Sequence, residues 1–388
     1  MSATRLKQID RVMQEAVDSG KVSGVVTMVL RHGKVVQQKA YGWADVESRT
    51  PMRVDALFRI ASQTKAITSV GIMMLVEEGR LKLNDPVSRW IPSFADAKVF
   101  TRNEMGDTLV KVKRAITIRD LLTHTAGISY GTDANVRERY EAANLGPAAG
   151  FGWYLADKSE PVCTSMDRLG TLPFVSQPGE KWVYGYNTDI LGCVIERVSG
   201  TTLDRFFEAR IFQPLGMRST WFFPPATEAA RLTTVYGIFD GKLGRAPEGA
   251  KGQGDYIAGP RANFSGGAGL VSTAGDYARF LQMLANGGTL NGRRVLSPMT
   301  VELMHSNAVD TLYGRNGFGL GFAILRDPGA SGVYGNPGLY DWGGAYGSNY
   351  WIDPVSGLVT VYMMQLMPNP GLDLAAKLRT LVFSSVER

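Results

Sequence analysis

Phe58-Arg59-Ile60-Ala61-Ser62-Gln63-Thr64-Lys65 opens an apolar run that extends to Val76, and Lys65 is its only charge from Ile60 onward. Ile67, Val70, Met74 and Leu75 recur at helical spacing, while Ile72, Met73 and Val76 fill the other faces. A helix that is apolar all round is normally buried, so this one is expected at the centre of the fold. Ser62 reads as its N-cap and Lys65 follows one turn later, which sends both side chains out of the same end. Glu77-Glu78-Gly79 closes the helix, with Gly79 as the stop.

Outward from this helix the two ends of the chain share one texture. Ile9, Val12, Met13, Ala16 and Val17 mark an N-terminal helix packed by one face. Val25 to Leu30 and Val35-Val36 flank the turn His32-Gly33-Lys34, and the unbroken apolar run of the first strand predicts a sheet covered on both faces. Leu83-Asn84-Asp85-Pro86 leads into a short helix ending near Trp90 and Pro92. Sheet signals return in Tyr350 to Asp353 and Leu358 to Met364, separated by Pro354-Val355-Ser356-Gly357. Leu374, Leu378, Leu381 and Val382 mark a last amphipathic helix. Strands at both ends imply one sheet built from both termini, 1–92 and 267–388, with helices on its faces. Residues 93–266, rich in Gly, Pro and aromatics, read as a mainly helical second domain with capped helices at Thr117 to His124 and Asn187 to Val198. The fold class is α/β (α+β).

Composition removes several function classes. The 388 residues are 44% hydrophobic, enough for a large packed core, and no apolar run has the roughly 20 residues of a membrane span. The net charge of +6 arises from 42 basic and 36 acidic residues with no basic block, so neither a nucleic-acid nor a membrane partner is expected. No signal peptide is recognisable at the start, which predicts a cytoplasmic protein. Cys163 and Cys193 follow no metal-ligand spacing and are expected as free thiols. With three histidines and no HExxH or Cys/His cluster, no metal and no cofactor is expected. The oligomeric state is not legible.

A serine hydroxyl needs a group that takes its proton, and a lysine does so only when neutral. Desolvation at the end of a buried helix, or a neighbouring cation, disfavours the ammonium. Lys65 has that setting beside Ser62. By itself Ser-x-x-Lys is a short pattern, and a lysine snorkelling to solvent from the first turn reads equally well.

Phe58 to Lys65, Leu121-Leu122-Thr123-His124-Thr125-Ala126-Gly127, Tyr184-Gly185-Tyr186 and Gly266-Gly267-Ala268-Gly269-Leu270-Val271-Ser272-Thr273 occur in the order found in the serine β-lactamase-like superfamily. Over residues 5 to 385 the chain resembles the class C β-lactamase branch and, within it, the family VIII carboxylesterases. The resemblance implies a mostly antiparallel sheet flanked by helices, a helical domain, and an active site in the cleft between them. It also implies that Tyr184 joins Ser62 and Lys65 as a catalytic residue, exchanging protons with Ser62 and the leaving group. Tyr186 is the other tyrosine of the tripeptide. It occupies a place where the family usually has Asn, and it is expected near the substrate. Tyr130 is expected to line the cleft. Asp189 is expected either to orient Lys65 or to stabilise the start of its own helix.

The family's Lys-Thr-Gly is replaced by Trp342-Gly343-Gly344-Ala345, as in the esterase branch. Loss of the lysine removes a cation that would hold a substrate carboxylate, and Trp342 adds an apolar wall. Both changes favour uncharged esters. Gly343 and Gly344 let backbone approach the substrate, and the resemblance implies an oxyanion hole from the N–H groups of Ser62 and Ala345. A rival nucleophile, Ser129 in Gly127-Ile128-Ser129-Tyr130-Gly131, lacks the strand-then-helix context of a nucleophile elbow. The expected activity is hydrolysis of short- to medium-chain or aryl esters through an acyl-enzyme on Ser62. Acyl transfer to an alcohol, β-lactam hydrolysis and D-amino-acid peptide hydrolysis share that intermediate. A binding module that kept the fold without turnover is the reading from another class, and the presence of Ser62, Lys65 and Tyr184 together speaks against it.

Overall fold

The computed structural model describes residues 1–103, 106–146, 155, 158–247 and 254–387. Its main sheet has eight antiparallel strands in the order Gly317–Phe318, Ala323–Ile324, Tyr340–Gly343, Asn349–Asp353, Leu358–Met364, Gly24–Arg31, Lys34–Asp45 and Thr50–Pro51. Both termini therefore build one sheet, joined where Val25 to Arg31 pair with Met364 to Leu358. The first hairpin turns at His32 and Gly33, both at positive φ, which matches the twist of the flanking strands.

Successive side chains of a strand face opposite ways, so the buried run Gly24–Arg31 serves two cores. Val26, Met28 and Leu30 face the larger one with the helices Thr64–Glu77 and Ala274–Ala285. Val25 and Val29 face the smaller one, closed by the terminal helices Ala3–Asp18 and Leu374–Ser384 through Ile9, Met13, Leu378 and Val382. The central helix is apolar all round because it has neighbours on every side, and every residue from Thr64 to Leu75 is buried. At Gly71 an added Cβ would lie 3.0 Å from Ile195 and 3.3 Å from Phe206 and Phe207, so its glycine lets the helix Asn187–Ser199 and the segment after it pack closely.

The middle of the chain supplies the helices Ile118–Leu122, Arg137–Ala142, Val162–Leu169 and Asn187–Ser199. Thr117 and Asp120 form a capping box on the first, and Gly200 ends the last in the left-handed conformation. It also holds strands that the sequence reading missed. Lys98–Asn103 pairs with Gly106–Lys111 and Pro173–Phe174, and Tyr236–Phe239 pairs with Lys242–Arg245. Leu109 and Val110 are exposed, so the second strand has no apolar face to betray it. Residues 232–246 also reach back to the main sheet: Thr234 N donates to Ala44 O and Tyr236 N to Gln365 O, each at 3.0 Å.

Two expectations need correction. Cys163 and Cys193 are not free thiols but form a disulfide between the helices Val162–Leu169 and Asn187–Ser199. The packing of these two helices brings residues 30 apart in sequence to a Cα separation of 4.9 Å, which spacing alone could not reveal. Ser62 is not an N-cap. It lies inside a 3-10 turn, Ala61–Gln63, that runs into the helix, and the N-cap position falls on Gln63 without a side-chain cap bond. The Ser62 hydroxyl is thereby not used to cap the amides of the helix.

Candidate active site

Ser62 is partly exposed, whereas Lys65 is 2% exposed. Lys65 Nζ donates to three oxygens: Ser62 Oγ at 3.1 Å, Tyr130 OH at 2.9 Å and the Gly267 carbonyl at 2.7 Å. The snorkelling alternative is thus excluded, since the side chain ends in the protein. Gly267 O can only accept, so one N–H stays with it. The other two positions face hydroxyls that can either accept from the nitrogen or donate to its lone pair.

Ala61, just before Ser62, has φ of +50°, a conformation L residues seldom adopt. The turn is held by Ile60 N on Leu270 O at 3.0 Å and by Tyr277 OH on Gln63 O at 2.9 Å. The first amides of a helix have no acceptor within it, which leaves the Ser62 N–H at the open end. The strand Tyr340–Gly343 runs up to this turn. An added Cβ on Gly344 would lie 2.6 Å from Ile60 O and 3.3 Å from Ala61 Cβ, so glycine sets the approach of the strand end to the Ser62 turn. Gly344 N donates to Ser348 O at 2.8 Å and Gly343 pairs with Asn349, so both glycines shape the strand end, and Ala345 beyond them is exposed.

Tyr184 lies over the lysine, with Nζ 4.7 Å from its ring centre. Its hydroxyl accepts from Trp342 Nε1 at 3.3 Å, and its ring meets Tyr130 edge-on at 5.7 Å, Trp342 at 5.5 Å and Trp182 in a stack at 5.7 Å. Tyr186, expected beside the substrate, is instead fully buried and donates to Leu145 O at 2.7 Å. It packs edge-on against Tyr130 at 4.9 Å and so supports that ring. Two residues apart across the helix start, the two tyrosines leave on different sides.

His124 is buried behind Tyr184, with ring centres 4.8 Å apart, and its Nδ1 meets Asn187 Nδ2 at 3.0 Å. Burial, helped by the charge of Lys65, pushes the imidazole well below its ordinary value and keeps it neutral. Asp189 accepts from Ser265 Oγ and Gly267 N and makes no direct bond to Lys65. Burial pushes its carboxyl up, opposed by the Lys65 charge and by these hydrogen bonds. Ser129 Oγ accepts from Gly131 N at 3.1 Å and is buried, which ties it into its own turn.

Trp182, Asn187, Ser265 and the carbonyl of Gly267 were not singled out by the sequence. Gly267 lay within a quoted motif, but nothing local marks which carbonyl a lysine 202 residues away will use. Among the described residues no group of three His, Cys, Asp or Glu is disposed to hold a metal, and no helix is long and apolar enough to cross a membrane.

Residues 9–383 match the Beta-lactamase family. Protein Rv1367c of Mycobacterium tuberculosis is 34% identical over 387 residues, 94% of this chain and 91% of that protein. Esterase EstB of Burkholderia gladioli is 33% identical over 370 residues, 92% of this chain and 89% of EstB. Among solved structures, EstCE1, a hydrolase with promiscuous acyltransferase activity, superposes with a TM-score of 0.82 at 29% identity, covering 98% of this chain and 99% of that one.

Proposed function

The chain belongs to the Beta-lactamase family, and we propose that within it the protein is a serine carboxylesterase of the family VIII kind, acting on short- to medium-chain or aryl esters. The observation that supports this most is the contact of Lys65 Nζ with Ser62 Oγ at 3.1 Å, beside the rings of Tyr130 and Tyr184. Ser62 Oγ attacks the ester carbonyl while its proton passes to Lys65 and Tyr184. The N–H groups of Ser62 and Ala345 receive the oxyanion, each such donor being worth about 3 kcal/mol elsewhere. The proton then goes to the departing alkoxide, the C–O bond breaks, and water hydrolyses the acyl-enzyme by the same route in reverse. Trp342 and Tyr130 line the cleft on either side of Tyr184. In this reading residues 1–92 and 267–388 carry the nucleophile and oxyanion donors, and residues 93–266 carry the tyrosines.

Ser62→Ala is expected to abolish release of p-nitrophenol from p-nitrophenyl butyrate, and Ser129→Ala to leave most of it. The opposite pattern would remove the assignment. The name of EstCE1 favours a second reading, acyl transfer to an alcohol in place of water. Adding a primary alcohol to the assay and measuring the transesterified product against free acid separates the two. Disulfides persist where thiols are not kept reduced, so the Cys163–Cys193 bond speaks for an oxidising compartment and against the cytoplasmic expectation.

A further inference from the structure

Asp189 lies in the first turn of the helix Asn187–Ser199 and is 2% exposed. Its Oδ1 accepts from Ser265 Oγ at 2.5 Å and from Gly267 N at 3.1 Å. On the far side of the same residue, the Gly267 carbonyl accepts from Lys65 Nζ at 2.7 Å. Thr68 Oγ1, one turn after Lys65, donates to Gly266 O at 2.7 Å, so the strip is pinned to the central helix as well.

The fit leaves no room for side chains. An added Cβ on Gly267 would lie 2.3 Å from Asp189 Oδ2, and one on Gly266 would lie 2.8 Å from Thr188 O and 3.2 Å from Gly192 Cα. A buried carboxylate is costly unless its oxygens are engaged. The carboxyl meets its own backbone N–H, as a helix-start aspartate does, but its Oδ1 is engaged in addition by a loop 76 residues away in sequence.

We infer that Asp189 is a positioning residue for Lys65, clamping Ser265 and Gly267 so that the Gly267 carbonyl holds one N–H of the lysine. With that bond fixed, rotation about Cε–Nζ is fixed too, and the two remaining positions on nitrogen face Ser62 Oγ and Tyr130 OH. Asp189 never touches substrate. The inference rests on the reading of Ser62 and Lys65 as the acylating pair.

The test is the kinetics of p-nitrophenyl butyrate hydrolysis by Asp189→Ala, Asp189→Asn, Ser265→Ala and Ser62→Ala, each checked for folding by its circular-dichroism melt. Asp189→Ala is expected to lower kcat by about 30- to 100-fold with KM within about threefold, the scale of an approximately 1 Å misplacement of a reacting group. Asp189→Asn keeps an oxygen in place of Oδ1 that can accept both hydrogen bonds, and it is expected to recover kcat to within about fivefold of the parent, a loss on the scale of one neutral hydrogen bond. Ser265→Ala should fall between them, and it decides by the same split if Asp189→Ala does not fold. An unchanged kcat in the Ala variants, an effect on KM alone, or an Asn variant as slow as the Ala variant would overturn the clamp. Those results beside an inactive Ser62→Ala overturn the clamp alone, whereas a Ser62→Ala enzyme that still turns over removes the acyl-enzyme reading and the clamp with it.

Discussion

Trp342 Nε1 donates a hydrogen bond to the hydroxyl of Tyr184 over 3.3 Å, joining a strand of the main sheet to the middle of the chain across 158 residues. Trp342 is therefore a polar partner of the tyrosine as well as an aromatic neighbour of its ring. Trp342→Phe keeps an aromatic ring and removes the donor, so kcat should fall about fivefold with KM nearly unchanged, the scale of one neutral hydrogen bond. Steady-state assays with p-nitrophenyl butyrate check this. A rise in KM with kcat intact would reduce Trp342 to an aromatic neighbour alone.

The two tyrosines beside Lys65 meet it differently. Tyr130 OH is bonded to Lys65 Nζ at 2.9 Å, whereas the ring of Tyr184 covers the nitrogen and its hydroxyl faces Trp342. If Tyr184 carries the proton to the leaving group, Tyr184→Phe should lower kcat by about 100- to 10,000-fold. Tyr130→Phe, which loses one acceptor of the lysine, should cost about tenfold. Measured side by side, the reverse order would give the proton-carrying role to Tyr130.

Asp120 anchors the helix that leads to His124 and Tyr130. It binds Arg114 through both oxygens at 2.6 and 2.8 Å and accepts from Thr117 N at 2.9 Å, and it is 2% exposed. Burial raises its carboxyl, but the Arg114 and Thr117 bonds outweigh burial and hold it below its ordinary value of 3.8. The folded state thus takes up this proton less readily than the unfolded chain. The stabilisation is complete above about pH 4 and fades as pH falls through the lower folded value. Asp120→Ala should cost about 2–4 kcal/mol at pH 7, with the gap to the parent narrowing as pH falls below the ordinary carboxyl value of 3.8 in urea titrations. A gap independent of pH would show that the charge is irrelevant.

The disulfide joins the helix that follows Tyr184 and bears Asp189 to its neighbour. Closing a loop of 30 residues, it should contribute about 2–4 kcal/mol, so a phosphine reductant should lower the melting midpoint by several degrees. Thiol-reactive mass tags applied to the protein in its native cells should find no free cysteine. Two tagged thiols there would restore the cytoplasmic expectation.

The legible parts of the fold were those where one face or every face of a segment is buried. Gly24–Arg31, Leu358–Met364 and the central helix are mostly apolar on every face because they are covered on all sides. Gly106–Lys111 was missed because its side chains stay in water and leave no periodic signal. In the site, Tyr186 was misjudged because a tripeptide does not show which of its two rings faces the cleft.

The sequence by itself determined the relation of Ser62 to Lys65, because residues three apart on a helical turn are neighbours whatever surrounds them. It also determined the buried helix that carries the lysine. Only the tertiary structure decided which oxygens Lys65 meets, that Ser62 Oγ is not used as a cap, and that the two cysteines bond. Those contacts span 202 residues from Lys65 to Gly267, 65 to Tyr130 and 30 between the cysteines. Such distances close only when the helix Asn187–Ser199, the glycine strip and the strand end at Gly344 pack against the central helix, and no local spacing encodes that packing.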